Sequence, residues 1–87
     1  MNIKEFVLST ISQTLQIPKG EITENSRLAD IAHDSIKLFE LLIQFEHKLK
    51  TTVQYEDIVH IETIKDIIDY ISSLDNLPPL EEITENY

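Results

Sequence analysis

The sequence has no cysteine, no tryptophan and a single glycine in 87 residues. The absence of cysteine excludes a disulfide scaffold, a cysteine-ligated zinc site and a thiol nucleophile among its own side chains. One glycine disfavours a domain of many β-strands, which would need several tight turns. Basic residues are also scarce, since 7 Lys and Arg face 16 Asp and Glu, for a net charge of −9. Such a chain is a poor partner for nucleic acid or for an anionic membrane surface.

Long apolar runs are also missing. No stretch approaches the roughly 20 apolar residues of a membrane-spanning helix, so we expect no membrane span. The first residues, Met-Asn-Ile-Lys-Glu, lack the basic and apolar regions of a signal peptide. A length of 87 residues suits one domain, and a hydrophobic share of 41% is enough for a folded core. We therefore expect a single acidic domain in the cytoplasm.

Apolar residues recur at helical spacing in three stretches of the chain. They predict three long helices and one short one: residues 3–16, 35–50, 64–74 and, for the short helix, 56–60. Residues 17–34 are expected to form a long loop, and an acidic tail should follow from residue 75 to residue 87. The predicted fold class is therefore all-α, a four-helix bundle within a domain of residues 1–74.

The second long helix has more apolar residues than one face can hold. One stripe repeats at core spacing: Leu38, Leu41, Leu42, Phe45 and Leu49. A second stripe remains at i, i+3 and i+7: Ile36, Phe39 and Ile43. The second stripe is either part of a wider core or an exposed contact surface, and periodicity alone does not decide between them.

Asp34 and Ser35 lie at the junction between the loop and this helix. A helix N-terminus offers free amide hydrogens and a partial positive charge, which stabilise a phosphate attached there. The hydroxyl of Ser35 is therefore well placed to carry a phosphodiester. Both residues are also favoured helix caps, so a purely structural role stays open on the tripeptide alone.

The remaining polar residues do not suggest catalysis. His33, His47 and His60 are scattered over the loop, the second helix and the short turn, so we expect no metal site. Asp30 and Asp34 are four residues apart, but nothing places a substrate cleft between them. We therefore expect a protein that is not an enzyme.

The chain resembles the acyl carrier protein family over residues 1 to about 74. The resemblance is strongest in residues 28–36, Leu-Ala-Asp-Ile-Ala-His-Asp-Ser-Ile, where the family has an apolar-acidic-Leu-Gly-x-Asp-Ser-Leu pattern. It continues through Glu-Leu-Leu at 40–42, Phe-Glu at 45–46, Thr-Ile at 63–64 and Ile-Ile-Asp-Tyr-Ile at 67–71.

The resemblance implies a bundle of acyl-carrier type in which Ser35 carries a 4'-phosphopantetheine arm. A phosphopantetheinyl transferase would add the arm from coenzyme A, with Asp34 and Ile36 flanking the attachment site. The thiol of the arm would hold an acyl or aminoacyl group as a thioester. A loading enzyme and synthase, transferase or tailoring enzymes would then act on that group, and the carrier itself would be a monomer.

Several residues depart from the family pattern. Ala32 replaces the usual glycine, Ile36 replaces leucine, and Lys37 stands where the family usually has an acid. The residues predicted to contact partner enzymes are Lys37, Phe39, Glu40, Ile43 and Glu46. Residues 35–50 hold two acids against three lysines, so a partner must grip either those acids or the second apolar stripe. This favours a dedicated pathway, making a polyketide, a lipid or a related metabolite, over general fatty acid biosynthesis.

Two alternatives remain. Peptidyl carriers of nonribosomal pathways are close relatives, and His33 leaves that option open, although Asp34 directly before Ser35 favours an acyl carrier. The other alternative is an unmodified helical adaptor that binds a partner through the second stripe.

Overall fold

The computed structural model describes residues 2–74. They form five α-helices and one 3-10 turn: α1 (Ile3–Leu15), the 3-10 turn (Lys19–Glu21), α2 (Leu28–Ile31), α3 (Ser35–Leu49), α4 (Tyr55–Ile58) and α5 (Ile64–Ser72). No β-strand is present within residues 2–74, which confirms the all-α class. The expected count of four helices is wrong, because α2 lies inside the segment predicted as loop. The predicted tail, residues 75–87, lies outside the described residues.

The core forms where α1 packs against α3 and α5. Each of these helices turns one apolar stripe inward, as the sequence pattern predicts. The buried cluster consists of Phe6, Val7, Leu8, Ile11, Ile22, Leu28, Leu41, Phe45, Leu49, Ile64, Ile67 and Ile71. Phe6 and Phe45 meet edge to face, with ring centroids 5.9 Å apart and planes at 63°. A bundle this small has one core, so the outer face of α3 is left to solvent.

The predicted loop is ordered by contacts with residues far along the chain. Three backbone hydrogen bonds join this segment to the start of α5. The Leu28 N–H donates to the Glu62 carbonyl at 2.9 Å, the Ile64 N–H to the Ser26 carbonyl at 3.0 Å, and the Lys65 N–H to the Glu24 carbonyl at 2.9 Å. Leu28 itself is buried in the core, and the one-turn helix α2 begins at that residue. The segment before α3 is therefore a braced connection and not a free loop.

The shorter helices differ from the sequence prediction at their ends. Helix α4 covers Tyr55–Ile58, so it begins one residue earlier and ends two residues earlier than predicted. Helix α5 ends at Ser72, two residues early. At this end of the helix, the hydroxyls of Ser72 and Ser73 donate to the Ile68 and Tyr70 carbonyls, both at 2.7 Å.

A capping box starts α5. The Thr63 hydroxyl accepts from the Asp66 backbone N–H at 3.3 Å, and the Asp66 carboxylate accepts from the Glu62 and Thr63 N–H groups. These backbone hydrogen bonds are the main reason that the pKa of Asp66 lies below its usual value.

The scarcity of glycine affects the ends of α1 and α3. Each helix closes on a residue in the left-handed region, Gln16 with φ 56° and Lys50 with φ 53°. Glycine is the usual residue at such a helix end, because a Cβ atom is strained there. Pro18 and the single glycine, Gly20, both lie beyond the C-cap of α1, and Gly20 is part of the 3-10 turn.

Replacing Gln16 with glycine should relieve this strain. We expect Gln16→Gly to raise the free energy of unfolding by about 1 kcal/mol in urea denaturation. Gln16→Ala is the matched control, since it removes the same polar group but keeps the Cβ atom, and it should bring no gain. Equal stability of the two variants would contradict strain at this residue.

Candidate functional site

The start of α3 is fixed by one side chain. Asp34 has extended backbone angles, and its Oδ1 atom accepts the Lys37 backbone N–H at 2.9 Å. Asp34 is therefore the N-cap, as the sequence predicted, and Ser35 is the first helical residue. The side chain of Ser35 is exposed to solvent.

The braced segment before α3 determines where Ser35 lies. Ala32, directly after α2, is buried, whereas His33 and Asp34 lead outward and are exposed. The chain thus leaves the core two residues before α3 begins. This local path puts the Ser35 hydroxyl at the surface and on a helix that is itself anchored in the core.

The electrostatics at Ser35 favour an anion. The first backbone N–H groups of a helix have no carbonyl partner within it, and the helix dipole places partial positive charge there. The first turn of α3 contains no acidic residue. The Asp34 carboxylate before it binds the Lys37 N–H, and the Lys37 ammonium is paired with Glu40, so the N–H groups of Ser35 and Ile36 are the ones left to face an anion. The helix dipole would therefore stabilise a phosphodiester on Ser35. The residues at this site fit such a group.

An open groove of about 370 Å³ runs beside Ser35. Its walls combine the polar residues of the junction with apolar side chains of α2, α3, α4 and the segments after α2 and α4: Leu28, Ala29, Ala32, His33, Asp34, Ser35, Leu38, Ile58, Val59 and Ile61. A flexible chain, if attached at Ser35, would have this groove as a surface along which to lie.

A second space lies inside the bundle, between α3, α4 and α5. Its volume is only about 40 Å³, and its lining is almost entirely apolar, including Leu38, Leu42, Val53, Ile58 and Ile67. Such a void is narrow, since a dry engineered cavity that accepts a benzene ring is about 150 Å³. An apolar chain could enter only if the surrounding side chains move apart.

Tyr70 closes one edge of this internal space. Its hydroxyl donates to the Asp57 carboxylate at 3.0 Å and so ties α5 to α4. Burial raises the pKa of the Tyr70 hydroxyl, and the bond to Asp57 adds to that rise. The sequence pattern gave no indication of this contact, because the two residues are thirteen positions apart on different helices.

The second apolar stripe of α3 is exposed and not part of a wider core. Solvent reaches 68% of Ile36, 47% of Phe39 and 57% of Ile43. The core stripe is correct, with Leu41, Phe45 and Leu49 buried, while Leu38 and Leu42 are half-buried along the two spaces just described. Val59, after α4, is a fourth exposed apolar residue, 55% accessible, which the sequence reasoning missed.

The predicted charged contact residues have partners within the chain. Lys37 Nζ lies 3.6 Å from the Glu40 carboxylate, and both are about half exposed. Glu46 is half-buried, and its carboxylate accepts the Val53 backbone N–H at 2.9 Å. Glu46 thus has a structural task in holding the segment after α3, and a partner contact through it stays a prediction.

Residues 2–74 contain neither a metal-binding cluster nor a membrane-spanning helix. No group of three or more His, Asp or Glu residues in that range is arranged to hold a metal ion. None of the helices described there is long and apolar enough to cross a membrane.

Comparison with known proteins identifies the class. The family described as "Phosphopantetheine attachment site" matches residues 5–71, which is most of the chain. The match spans the region from α1 to α5 and includes the exposed serine at the start of α3. The protein is therefore a phosphopantetheine-binding carrier domain.

Individual relatives agree with this class. The chain is 31% identical over 74 residues to an acyl carrier protein of Chlamydia caviae, covering 84% of this chain and 96% of that protein. It is 32% identical over 72 residues to one from Syntrophus aciditrophicus, covering 82% and 90%, and 35% identical over 66 residues to one from Thermotoga maritima, covering 75% and 82%. The chain belongs to the acyl carrier protein family.

Two properties of the protein follow from its family. Acyl carrier proteins are carriers and not catalysts, as the sequence predicted. Their cofactor is 4'-phosphopantetheine, whose terminal thiol supplies the thioester chemistry that a chain without cysteine lacks.

The cap on α3 can be tested directly. We expect Asp34→Ala to lower the free energy of unfolding by about 1 kcal/mol, because the Lys37 N–H loses its acceptor. Asp34→Asn keeps an oxygen at the same place and should stay close to the unaltered protein. Urea denaturation followed by circular dichroism measures both, and equal loss in the two variants would show that charge and not capping matters.

Proposed function

We propose that Ser35 carries the 4'-phosphopantetheine arm and that residues 1–74 act as the carrier domain. The observation that supports this most strongly is the exposed hydroxyl at the first position of α3, beside an open groove. The arm would hold an acyl group as a thioester and present it to partner enzymes. The protein would act as a monomer in the cytoplasm.

The other serines are less suitable. The chain has six: Ser9, Ser12, Ser26, Ser35, Ser72 and Ser73. Ser12, Ser72 and Ser73 donate their hydroxyls to backbone carbonyls, and the hydroxyl of Ser26 accepts the Thr23 N–H at 3.0 Å. Ser9 is half-buried in the middle of α1. Ser35 alone among the six is both exposed and at a helix N-terminus.

Attachment of the arm to Ser35 is a group transfer that needs no oxidant or reductant. The Ser35 Oγ atom loses its proton and bonds to the phosphorus that bears pantetheine in coenzyme A. The phosphoanhydride bond of coenzyme A breaks, and adenosine 3',5'-bisphosphate leaves. On the carrier side, the Ser35 and Ile36 N–H groups at the start of α3 would stabilise the negative charge of the new phosphodiester.

The internal space between α3, α4 and α5 supports an apolar cargo of short or medium length. Its lining would shelter methylene groups from water, each worth about 0.8 kcal/mol. Because the space is about 40 Å³ in the structure, entry of cargo requires the bundle to expand. A small domain of modest stability can make such openings at low cost.

The charges of α3 support a dedicated pathway over general fatty acid synthesis. Residues 35–50 hold Lys37, Lys48 and Lys50 against Glu40 and Glu46, whereas partner enzymes of the wider family commonly grip an acidic helix. The product would be a polyketide, a lipid or a related metabolite. A loading enzyme and synthase, transferase or tailoring enzymes would be its partners, and an aminoacyl cargo is the second candidate.

Intact mass spectrometry tests the attachment site. Incubation with coenzyme A and a broad-specificity phosphopantetheinyl transferase should add the mass of one phosphopantetheinyl group. Ser35→Ala should abolish the addition, and Ser72→Ala, which changes another exposed serine, should leave it intact. An absence of addition to well-folded protein would contradict the proposal and favour an unmodified adaptor.

Chain transfer tests the pathway. With the arm attached, we expect fatty-acid synthase enzymes to act on this carrier at least about tenfold more slowly than on their own, because a basic docking patch finds little negative charge on α3. Initial rates with both carriers under the same conditions measure the difference. Transfer as fast as with the enzymes' own carrier would remove the case for a dedicated pathway.

A further inference from the structure

An apolar wall separates the groove beside Ser35 from the internal space between α3, α4 and α5. Four residues line both spaces and form this wall: Leu28, Leu38, Ile58 and Ile61. Leu38 and Ile58 also line a smaller groove that reaches Ser35. A chain that starts at Ser35 therefore meets the interior first at Leu38 on α3 and Ile58 on α4.

The helices on the two sides of this wall differ in length. Leu38 belongs to α3, a helix of 15 residues that Leu41, Phe45 and Leu49 anchor in the core. Ile58 ends α4, which is a single turn of four residues. A helix so short is not stable by itself, and its place depends on contacts with the rest of the chain. We therefore expect α4 to be the side of the wall that moves.

A hydrogen bond from α5 holds α4 against the internal space. Tyr70 lines that space, and its hydroxyl donates to the Asp57 carboxylate at 3.0 Å. Asp57 directly precedes Ile58, so the bond fixes the helical turn that carries this wall residue. The bond lies at the surface, where water can replace it, and breaking it therefore costs little free energy. A contact of this strength keeps the interior closed and still yields to a chain that gains enough by entering.

We propose that the hydrogen bond between Tyr70 and Asp57 sets the length of apolar cargo that the interior accepts. A short acyl group is carried with the bond intact, because it stays outside a space of about 40 Å³. A longer chain enters past Ile58 and breaks the bond, and burial of its methylene groups offsets that loss. Tyr70 acts through Asp57 and α4, so it is a positioning residue. This inference rests on the proposed function, in which Ser35 carries the arm.

Urea denaturation of the holo, acetyl and octanoyl forms tests this coupling between bond and cargo. A broad-specificity phosphopantetheinyl transferase makes the three forms from coenzyme A, acetyl-coenzyme A and octanoyl-coenzyme A. In the holo and acetyl forms, Tyr70→Phe should lower the urea midpoint by about 0.3 to 0.5 M, as for the loss of one exposed hydrogen bond. In the octanoyl form it should lower the midpoint by less than about 0.1 M, because the cargo has already broken that bond.

Two controls separate this coupling from a general loss of stability. Ile11→Val shortens a fully buried residue of α1 that does not line the internal space, and it should lower the midpoint by a similar amount in all three forms. Asp57→Ala removes the other partner of the bond and should repeat the pattern of Tyr70→Phe. The double variant should lose no more stability than either single variant, since both changes remove the same bond.

The contrary outcomes separate this inference from the proposed function. A midpoint that Tyr70→Phe lowers as much in the octanoyl form as in the holo form would show that the bond is structural only, and would overturn the inference. An octanoyl form no more stable than the holo form would also overturn it, because the chain then stays outside the bundle. Failure of the arm to attach to well-folded protein would instead refute the proposed function, and this inference with it.

Discussion

The hydrogen bond from the Lys37 backbone N–H to the Asp34 carboxylate fixes the first residue of α3, and the site depends on it. Successive residues of an α-helix are rotated by about 100°, so the starting residue determines which side chains face the core. With this start, Leu41, Phe45 and Leu49 are buried and Ile36, Phe39 and Ile43 are exposed. The same start places Ser35 where the helix field favours a phosphate.

The cap works because the rest of the chain holds it in place. Leu28 is anchored in the core and its N–H bonds to Glu62, so the segment before α3 enters at a set position. At the other end of α3, Glu46 bonds to Val53 and thereby directs the chain into α4. The core of α1, α3 and α5 thus carries the four-residue helix α4 beside the narrow internal space. Under the proposed function, this arrangement would keep Ser35 presented while the interior opens for cargo.

The features that could be predicted from the sequence are those that depend on residues close together in the chain. Asp34 was identifiable as a cap, because capping needs only a short polar side chain at the start of the helix. The two stripes of α3 were identifiable from helical periodicity, although their exposure was not. Ser35 was singled out by its position at a helix start and by the resemblance of its surroundings to a known family.

What the sequence could not predict depends on contacts between distant residues. Helix α2 requires the Leu28 N–H to find the Glu62 carbonyl, 34 positions away, so the segment looked like a free loop. The role of Glu46 requires the chain to turn back through Lys50, whose left-handed conformation no glycine signals. Val59 joins the exposed apolar residues only once α4 is placed beside α3.

Tandem mass spectrometry of proteolytic peptides from the holo protein tests the central claim most directly. After reaction with coenzyme A and a phosphopantetheinyl transferase, fragment ions should locate the arm on Ser35, with every other serine peptide at its unmodified mass. An arm located on any other residue, or peptides that all keep their unmodified mass, would contradict the account.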